Sequence, residues 1–288
     1  MRWTPGGRSE DLEDRRDESG SGGGFGGGGL RIGAGGAILL LVLSLATGQN
    51  FFALLGNFVG SGPQVDQSTG TRASSPDDER LVEFVSFVLD DVQNTWQKAF
   101  PIANRDYEHA KLVLFTDSVR SGCGFAESAM GPFYCPADRK VYIDLGFYQE
   151  LKNRFGAPGD FAQAYVIAHE VGHHVQNLLG LSDRIHDLQE KKPQYANQLS
   201  VLLELQADCF AGVWAHSTQQ RDILERGDIE QGLAAAAAVG DDRIQKQAGA
   251  AVNPETWTHG SSEQRVKWFK QGLQGGTVAQ CNTFNEER

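Results

Sequence analysis

No two of the four cysteines stand as C-x-x-C, so neither a zinc ribbon nor a thioredoxin-type motif is present. Nowhere do lysine and arginine cluster, and acidic residues outnumber basic ones by 37 to 26, for a net charge of -11. That balance argues against a nucleic-acid partner, which needs a basic face to neutralise phosphates. There is no internal repeat. Histidine is scarce, at seven residues in 288, so two of them four positions apart carry information. Charge is absent altogether from Ile32 to Val65. What remains is long enough for a real core, which about 200 residues can readily bury.

The order of these features predicts four regions. Residues 1–31 read as a disordered tail, charge-mixed and then glycine-rich, with nothing to bury. The uncharged window contains Ile38-Leu39-Leu40-Leu41-Val42-Leu43 and then Phe51-Phe52-Ala53-Leu54-Leu55. A membrane helix needs about 20 apolar residues, and 32–60 is read as a transmembrane anchor. A cleaved signal peptide ending near Ser44-Leu45-Ala46 is the competing reading; against it stand the long acidic leader and the apolar residues that continue past that point. Residues 61–77, rich in Ser, Gly, Pro and Gln, form a linker, and 78–288 the folded domain.

Within that domain Leu81, Phe84, Val85, Val88, Leu89, Val92 and Trp96 recur at helical spacing, predicting an amphipathic helix over 80–99. Lys111-Leu112-Val113-Leu114-Phe115 reads as a strand. Gly131 to Cys135, the turn Pro136-Ala137-Asp138 and Lys140 to Asp144 read as strand, turn, strand. Asp160 is placed as the N-cap of a helix ending near Gly180, a further helix covers 197–216, and Ser261 or Ser262 caps a last one over 262–274.

The chemistry concentrates at His169-Glu170-Val171-Gly172-His173. Positions i and i+4 share one face of a helix, a turn apart. Two imidazoles there can reach one zinc ion, while Glu170, displaced around the helix, can act on water without being a ligand. Ala164, Ala168, Val171, Val175 and Leu178 form an apolar stripe; Tyr165, His169 and His173 form the next, facing a cleft. A catalytic zinc takes three protein ligands and leaves a fourth position open. Glu204-Leu205-Gln206-Ala207-Asp208 offers two acids four apart in an otherwise apolar run, where buried acids need a partner. Glu204 is read as the third ligand and Asp208 as the acceptor of a ligand histidine's distal N–H. Small Ala207 would let two helices approach closely. His174 points about 100° away from His173, and is read as a packing or supporting residue. His186 sits in a polar segment.

On these residues, 160–216 resembles the zincin core of the clan that includes the membrane-bound prenyl-protein endopeptidases, with H-E-x-x-H followed by E-x-x-A-D. The whole chain is similar to the neutral zinc metallopeptidase family of bacteria. The shared features are Arg2-Trp3, Glu13-Asp14-Arg15-Arg16, the glycine-rich linker, the hydrophobic span, Gly131-Pro132-Phe133-Tyr134-Cys135-Pro136-Ala137-Asp138, His169 to Gln176, and Thr258-His259-Gly260-Ser261-Ser262 leading to Arg265. The resemblance implies an α+β, zincin-like metallopeptidase domain, mainly helical with a small sheet, preceded by the tail and the membrane helix. It implies one Zn2+ and a peptide or protein substrate, without saying which. Clan relatives carry a His and an Arg near the active site in the last segment, so His259 is a candidate oxyanion donor and Arg265 a brace for a nearby carboxylate. An edge strand, Gly131 to Tyr134 or Val141 to Ile143, could bind extended substrate.

Arg31 precedes the expected span and no Lys or Arg follows until Arg72, which favours a cytoplasmic N-terminus. The expectation is a single-pass inner-membrane protein with its catalytic domain outside the cytoplasm. An even cysteine number agrees with an oxidising compartment. Cys123 and Cys135 flank a short loop and are the best pair; Cys209 and Cys281 would tie the ligand helix to the C-terminus, unless Cys209 is a buried free thiol. The reaction expected is peptide hydrolysis with Glu170 as general base. The alternative is a non-catalytic, zinc-stabilised interaction module at the membrane surface.

Overall fold

The computed structural model describes residues 1–18, 75–100 and 106–285. Along them run β1 (Leu12–Asp14), α1 (Pro76–Ala99), β2 (Lys111–Phe115), β3 (Ser118–Ser121), β4 (Gly124–Glu127), β5 (Phe133–Cys135), β6 (Lys140–Asp144) and α2 (Gly146–Asn153). Then come α3 (Asp160–Leu178), α4 (Leu181–Lys191), α5 (Ala196–Gln220), α6 (Asp228–Ala238), α7 (Asp241–Gln247) and α8 (Ser262–Gly275). The fold is mainly helical α+β with a small sheet.

Helix α1 starts where its sequence says it should. Ser75 caps it through a capping box with Asp78, and Pro76 occupies the first turn, where a missing N–H costs nothing. Its apolar face, Val82, Val85, Val88, Leu89, Val92 and Trp96, is fully buried, each large side chain contributing about 1.5–3 kcal/mol. The sheet has strand order β1-β2-β6-β5, with β1, β2 and β6 parallel and β5 antiparallel on the edge. Strand alternation splits it into two faces. Leu112, Leu114, Val141 and Ile143 join the main core under the helices, while Val113, Phe115 and Tyr142 pack with Val119 and Ala126 of the β3–β4 hairpin. Cys123–Cys135 staples that hairpin to β5, and Cys209–Cys281 ties α5 to the segment after α8.

Two close approaches position the site. Helix α3 lies against α1, α5 and α6. At Gly172 a Cβ would come within 3.2 Å of the Ala207 backbone, so α3 and α5 meet almost backbone to backbone. At Gly272 a Cβ would lie 1.9 Å from the Cys209 carbonyl oxygen, which brings α8 equally close to the other side of α5. At Gly272 only glycine permits the crossing; at Gly172 a side chain would force the helices apart by a few tenths of an ångström.

The N-terminal segment departs from expectation. Residues 1–18 were expected to belong to a disordered tail, yet they share a unit with Ala73–Arg288, and Leu12, Glu13 and Asp14 pair in register with Leu112, Val113 and Leu114. Charge does the work that hydrophobicity alone could not announce. Asp11 accepts from Lys111 at 2.7 Å, Glu13 from Lys140 at 2.7 Å, and Arg16 reaches Glu79 on α1 at 3.0 Å. Trp3 packs edge-on against Phe84.

The single-pass placement is corrected as well. Among the described residues no helix is long and apolar enough to cross a membrane. Strand β1, before the expected span, is hydrogen-bonded to β2, after it; one crossing would separate them by about 30 Å of hydrocarbon. The stretch 32–60 itself lies outside the described residues, as does the linker up to residue 74.

The docked strand should be acid-labile. Burial opposes the charged forms of Asp11 and Glu13, but Lys111 with His109, and Lys140 with Arg15, hold both below the usual carboxylate range. Arg16 does the same for Asp14. Depressed folded values mean that this stabilisation is full above the unfolded value, near about 4, and is lost as pH falls through the lower folded values. Amide protection at residues 12–14, corrected for the intrinsic exchange rate, is expected to collapse as pH falls below about 4 while β2 stays protected. Loss of both strands together would show that these pairs do not hold β1.

Candidate metal centre

Helix α3 begins at Asp160, with Gly159 rather than Asp160 as its N-cap. It carries His169 and His173 one turn apart, and α5 brings Glu204 to meet them. Ligand atoms of His169, His173 and Glu204 all lie within 4.8 Å of one another. Glu204 Oε2 is 3.2 Å from His169 Nε2, and Glu204 Oε1 is 3.3 Å from His173 Nε2. Both imidazoles therefore turn Nε2 toward one point and Nδ1 away from it.

The Nδ1 atoms are held. His169 Nδ1 donates to Asp208 Oδ1 at 3.0 Å, and His173 Nδ1 to Gln176 Oε1 at 2.9 Å. Asp208 is fully buried and also receives Arg265 through Nε at 2.8 Å and Nη2 at 3.0 Å, together with the Tyr165 hydroxyl. Arg265 reaches this point from α8, with Nη1 donating to the Val239 carbonyl at 3.2 Å. Ser261, not Ser262, caps α8, with Gln264 closing a capping box.

Burial and charge pull the site's carboxylates in opposite directions. Burial would push Glu204 and Asp208 up. His173 and His169 instead hold Glu204 well below the usual range, and Arg265 with His169 holds Asp208 down. Glu170, 7% exposed, has its carboxyl raised by burial, which the neighbouring His169 and His173 only partly offset. Burial disfavours a charged His169, but Asp208 and Glu204 outweigh it and bring the imidazole up to about 9. Two imidazoles poised around an ionised carboxylate form the donor set of a divalent cation with borderline-soft preferences.

Other expected residues fall nearby or elsewhere. His259 is half-exposed and sits on the loop before α8, close enough for the Glu204 charge to act on it. Its Nδ1 lies 3.2 Å from Asp241 Oδ1, while Asp241 Oδ2 accepts the backbone N–H of Thr258, His259 and Gly260. His174 is buried and faces the sheet, donating from Nε2 to the Glu108 carbonyl at 2.7 Å and accepting from the Tyr134 hydroxyl at 3.0 Å. That contact seats α3 on β5. His186 is 72% exposed on α4, beside Glu190. The sequence reading left out Asp241 and Gln176. Nothing local marks Asp241; Gln176 stands three residues after His173, a spacing that shares a helix face.

Arg265 makes a strong stability prediction. Arg265→Met would strip the buried Asp208 carboxylate of its guanidinium and leave His169 to answer its charge, and breaking such a buried pair costs about 3–5 kcal/mol. Urea unfolding of the metal-free chain should show a loss of that order; a loss under about 1 kcal/mol would mean the pair is solvated rather than buried.

A long helix carrying two histidines, crossed at a glycine by a second helix carrying the acid, forms a three-residue cluster that could hold a metal ion. A family model described as "Putative neutral zinc metallopeptidase" matches residues 1–284, and the chain belongs to that family. It is 49% identical over 288 residues to "Uncharacterized protein YpfJ" of Escherichia coli (strain K12), covering 99% of each chain. It is 47% identical over 205 residues to "Uncharacterized protein Rv2575" of Mycobacterium tuberculosis (strain ATCC 25618 / H37Rv), covering 67% of each. No solved structure matches it.

Proposed function

We propose that this protein is a zinc-dependent endopeptidase of zincin type. The observation that carries the reading is the convergence of His169 Nε2, His173 Nε2 and the Glu204 carboxylate, contributed by two helices, with Glu170 buried beside them. Zinc fits this donor set, and when bound it supplies Lewis acidity, acidifying water and polarising a carbonyl. Glu170 takes the proton of the attacking water and returns it to the leaving amine; burial raises its carboxyl above the ordinary value, the direction that suits a base that must hold the proton before giving it back. His259, tethered by Asp241, would donate to the developing oxyanion. Asp208 and Gln176 orient the two ligand imidazoles, and Arg265 keeps Asp208 ionised.

An extended peptide would pair with β5. Strand β6 lies between β2 and β5 and has no free edge, whereas β5 ends the sheet and is seated on α3 through Tyr134. This supports Gly131 to Tyr134, rather than Val141 to Ile143, as the segment that receives substrate by backbone hydrogen bonding.

The test is incubation of the purified full chain, zinc-loaded, with an unfolded protein, with and without a chelator. Cleavage that stops with chelator and returns with Zn2+ is the expected result. Zinc that stabilises the fold with no hydrolysis of any unfolded protein would overturn the peptidase reading in favour of a non-catalytic zinc-stabilised module.

A further inference from the structure

The two histidines of the cluster are not oriented alike. His169 leans on a charged carboxylate, while His173 leans on a neutral amide that is itself part of a longer chain of hydrogen bonds. Gln176 Oε1 accepts from His173 Nδ1 at 2.9 Å. Gln176 Nε2 donates to the Leu203 carbonyl at 2.7 Å and to Gln206 Oε1 at 3.1 Å. Gln206 Nε2 donates in turn to the Cys281 carbonyl at 2.9 Å. Gln176 and Gln206 are 1% and 5% exposed. The chain ends on a segment fastened twice to α5, by Cys209–Cys281 and by the Thr283 hydroxyl donating to the Leu202 carbonyl at 2.8 Å.

Direction along this chain is set by groups with no choice. A backbone carbonyl can only accept. The Cys281 carbonyl therefore takes the NH2 end of Gln206, which turns Gln206 Oε1 toward Gln176. The Leu203 carbonyl takes the NH2 end of Gln176, which turns Gln176 Oε1 toward His173. An amide flip at either residue would set two oxygens against each other in a buried place, at a cost of about 1–3 kcal/mol for each unsatisfied group. His173 faces acceptors on both sides, Gln176 Oε1 at Nδ1 and the Glu204 carboxylate 3.3 Å from Nε2; with a cation between Nε2 and Glu204, the one ring proton belongs on Nδ1, where Gln176 takes it.

We propose that Gln176 and Gln206 are positioning residues forming a one-way hydrogen-bond relay, by which the C-terminal segment at Cys281 fixes the tautomer and ring orientation of His173 for metal. The proposal rests on the reading of His169, His173 and Glu204 as a zinc site. It makes the disulfide-held segment after α8 part of the metal centre, though no ligand comes from it. It also assigns the two histidines separate supports: Asp208 and Arg265 for His169, the glutamine relay for His173.

Zinc dissociation constants of the full chain, measured by competition with a chromophoric chelator, test the relay. Gln176→Met removes the acceptor and should weaken zinc about 10–100-fold, as loss of a ligand's supporting partner does. Gln206→Met, which leaves His173 and Gln176 in place, should weaken it by a smaller factor. The double variant should bind no more weakly than Gln176→Met alone, because both act through one chain. Additive effects, or wild-type affinity in both single variants, overturn the relay. The wild-type chain gives a second reading that needs no variant to fold. In the zinc-loaded chain, nitrogen-15 NMR should show the His173 proton on Nδ1 and the metal on Nε2; metal bound through Nδ1 overturns the relay. A wild-type chain that takes up no zinc overturns the zinc reading and the relay with it, whereas one that binds zinc through Glu204 but ignores Gln176 overturns the relay alone.

Discussion

Glu204→Ala is expected to yield a folded chain without tightly bound zinc and without activity. His169 and His173 alone leave the metal two protein ligands, one fewer than a catalytic zinc site takes. No substitute stands ready among the described residues. Asp208 is committed to His169 Nδ1 and to Arg265, on the far side of the ring from Nε2. His174 is turned to the Glu108 carbonyl and the Tyr134 hydroxyl, and His186 lies out on α4. The check is zinc per folded chain after dialysis against a mild chelator, near zero in the variant and near one in the wild type. Asp208→Ala, which acts through His169, should instead weaken zinc about 10–100-fold. A full equivalent of zinc in the Glu204 variant would sink the ligand assignment.

Glu170→Gln should abolish hydrolysis and keep the metal. The amide matches the carboxylate in shape but cannot take a proton from water, and loss of a general base costs about 10²–10⁴ in kcat. No ligand is lost, so zinc content should be unchanged. Stability carries a second signature. Glu170 is 7% exposed and its carboxyl is already pushed up by burial, so a neutral amide relieves a desolvation cost. The variant should melt at the wild-type temperature or above. Residual activity within about tenfold of wild type, in a fully zinc-loaded variant, would remove Glu170 from the mechanism.

Legibility followed how local each signal was. The helix over 80–99 was readable because its apolar positions alone draw one face, and it proved to be Pro76–Ala99. The 197–216 helix proved to be Ala196–Gln220. The strands at 111–115 and 140–144 were readable from β-branched and aromatic runs. The β3–β4 hairpin and helices α2, α4, α6 and α7 went unread, as their apolar patterns are short or interrupted, and α6 is built on alanines that pack in any direction. The three-residue strand β1 could not be found from composition. Its few apolar residues look solvated until Lys111 and Lys140 are brought to Asp11 and Glu13 from 100 and 127 residues away, and Glu79 to Arg16 from 63.

What the sequence by itself determined is the part of the site that one helix can carry: His169, Glu170 and His173, fixed relative to each other by 3.6 residues per turn. It also pointed to Glu204 and Asp208, because two acids in an apolar helix must be answered by something. Tertiary structure alone decided what answers them. Gly172 lets α5 come near enough for Glu204 to reach both Nε2 atoms, Gly272 lets α8 deliver Arg265 to Asp208, and the segment at Cys281 turns two glutamines toward His173. Those are contacts between residues distant in the chain, set by how closely backbones can approach and by which carbonyls are left to accept, and neither quantity is written in any local pattern.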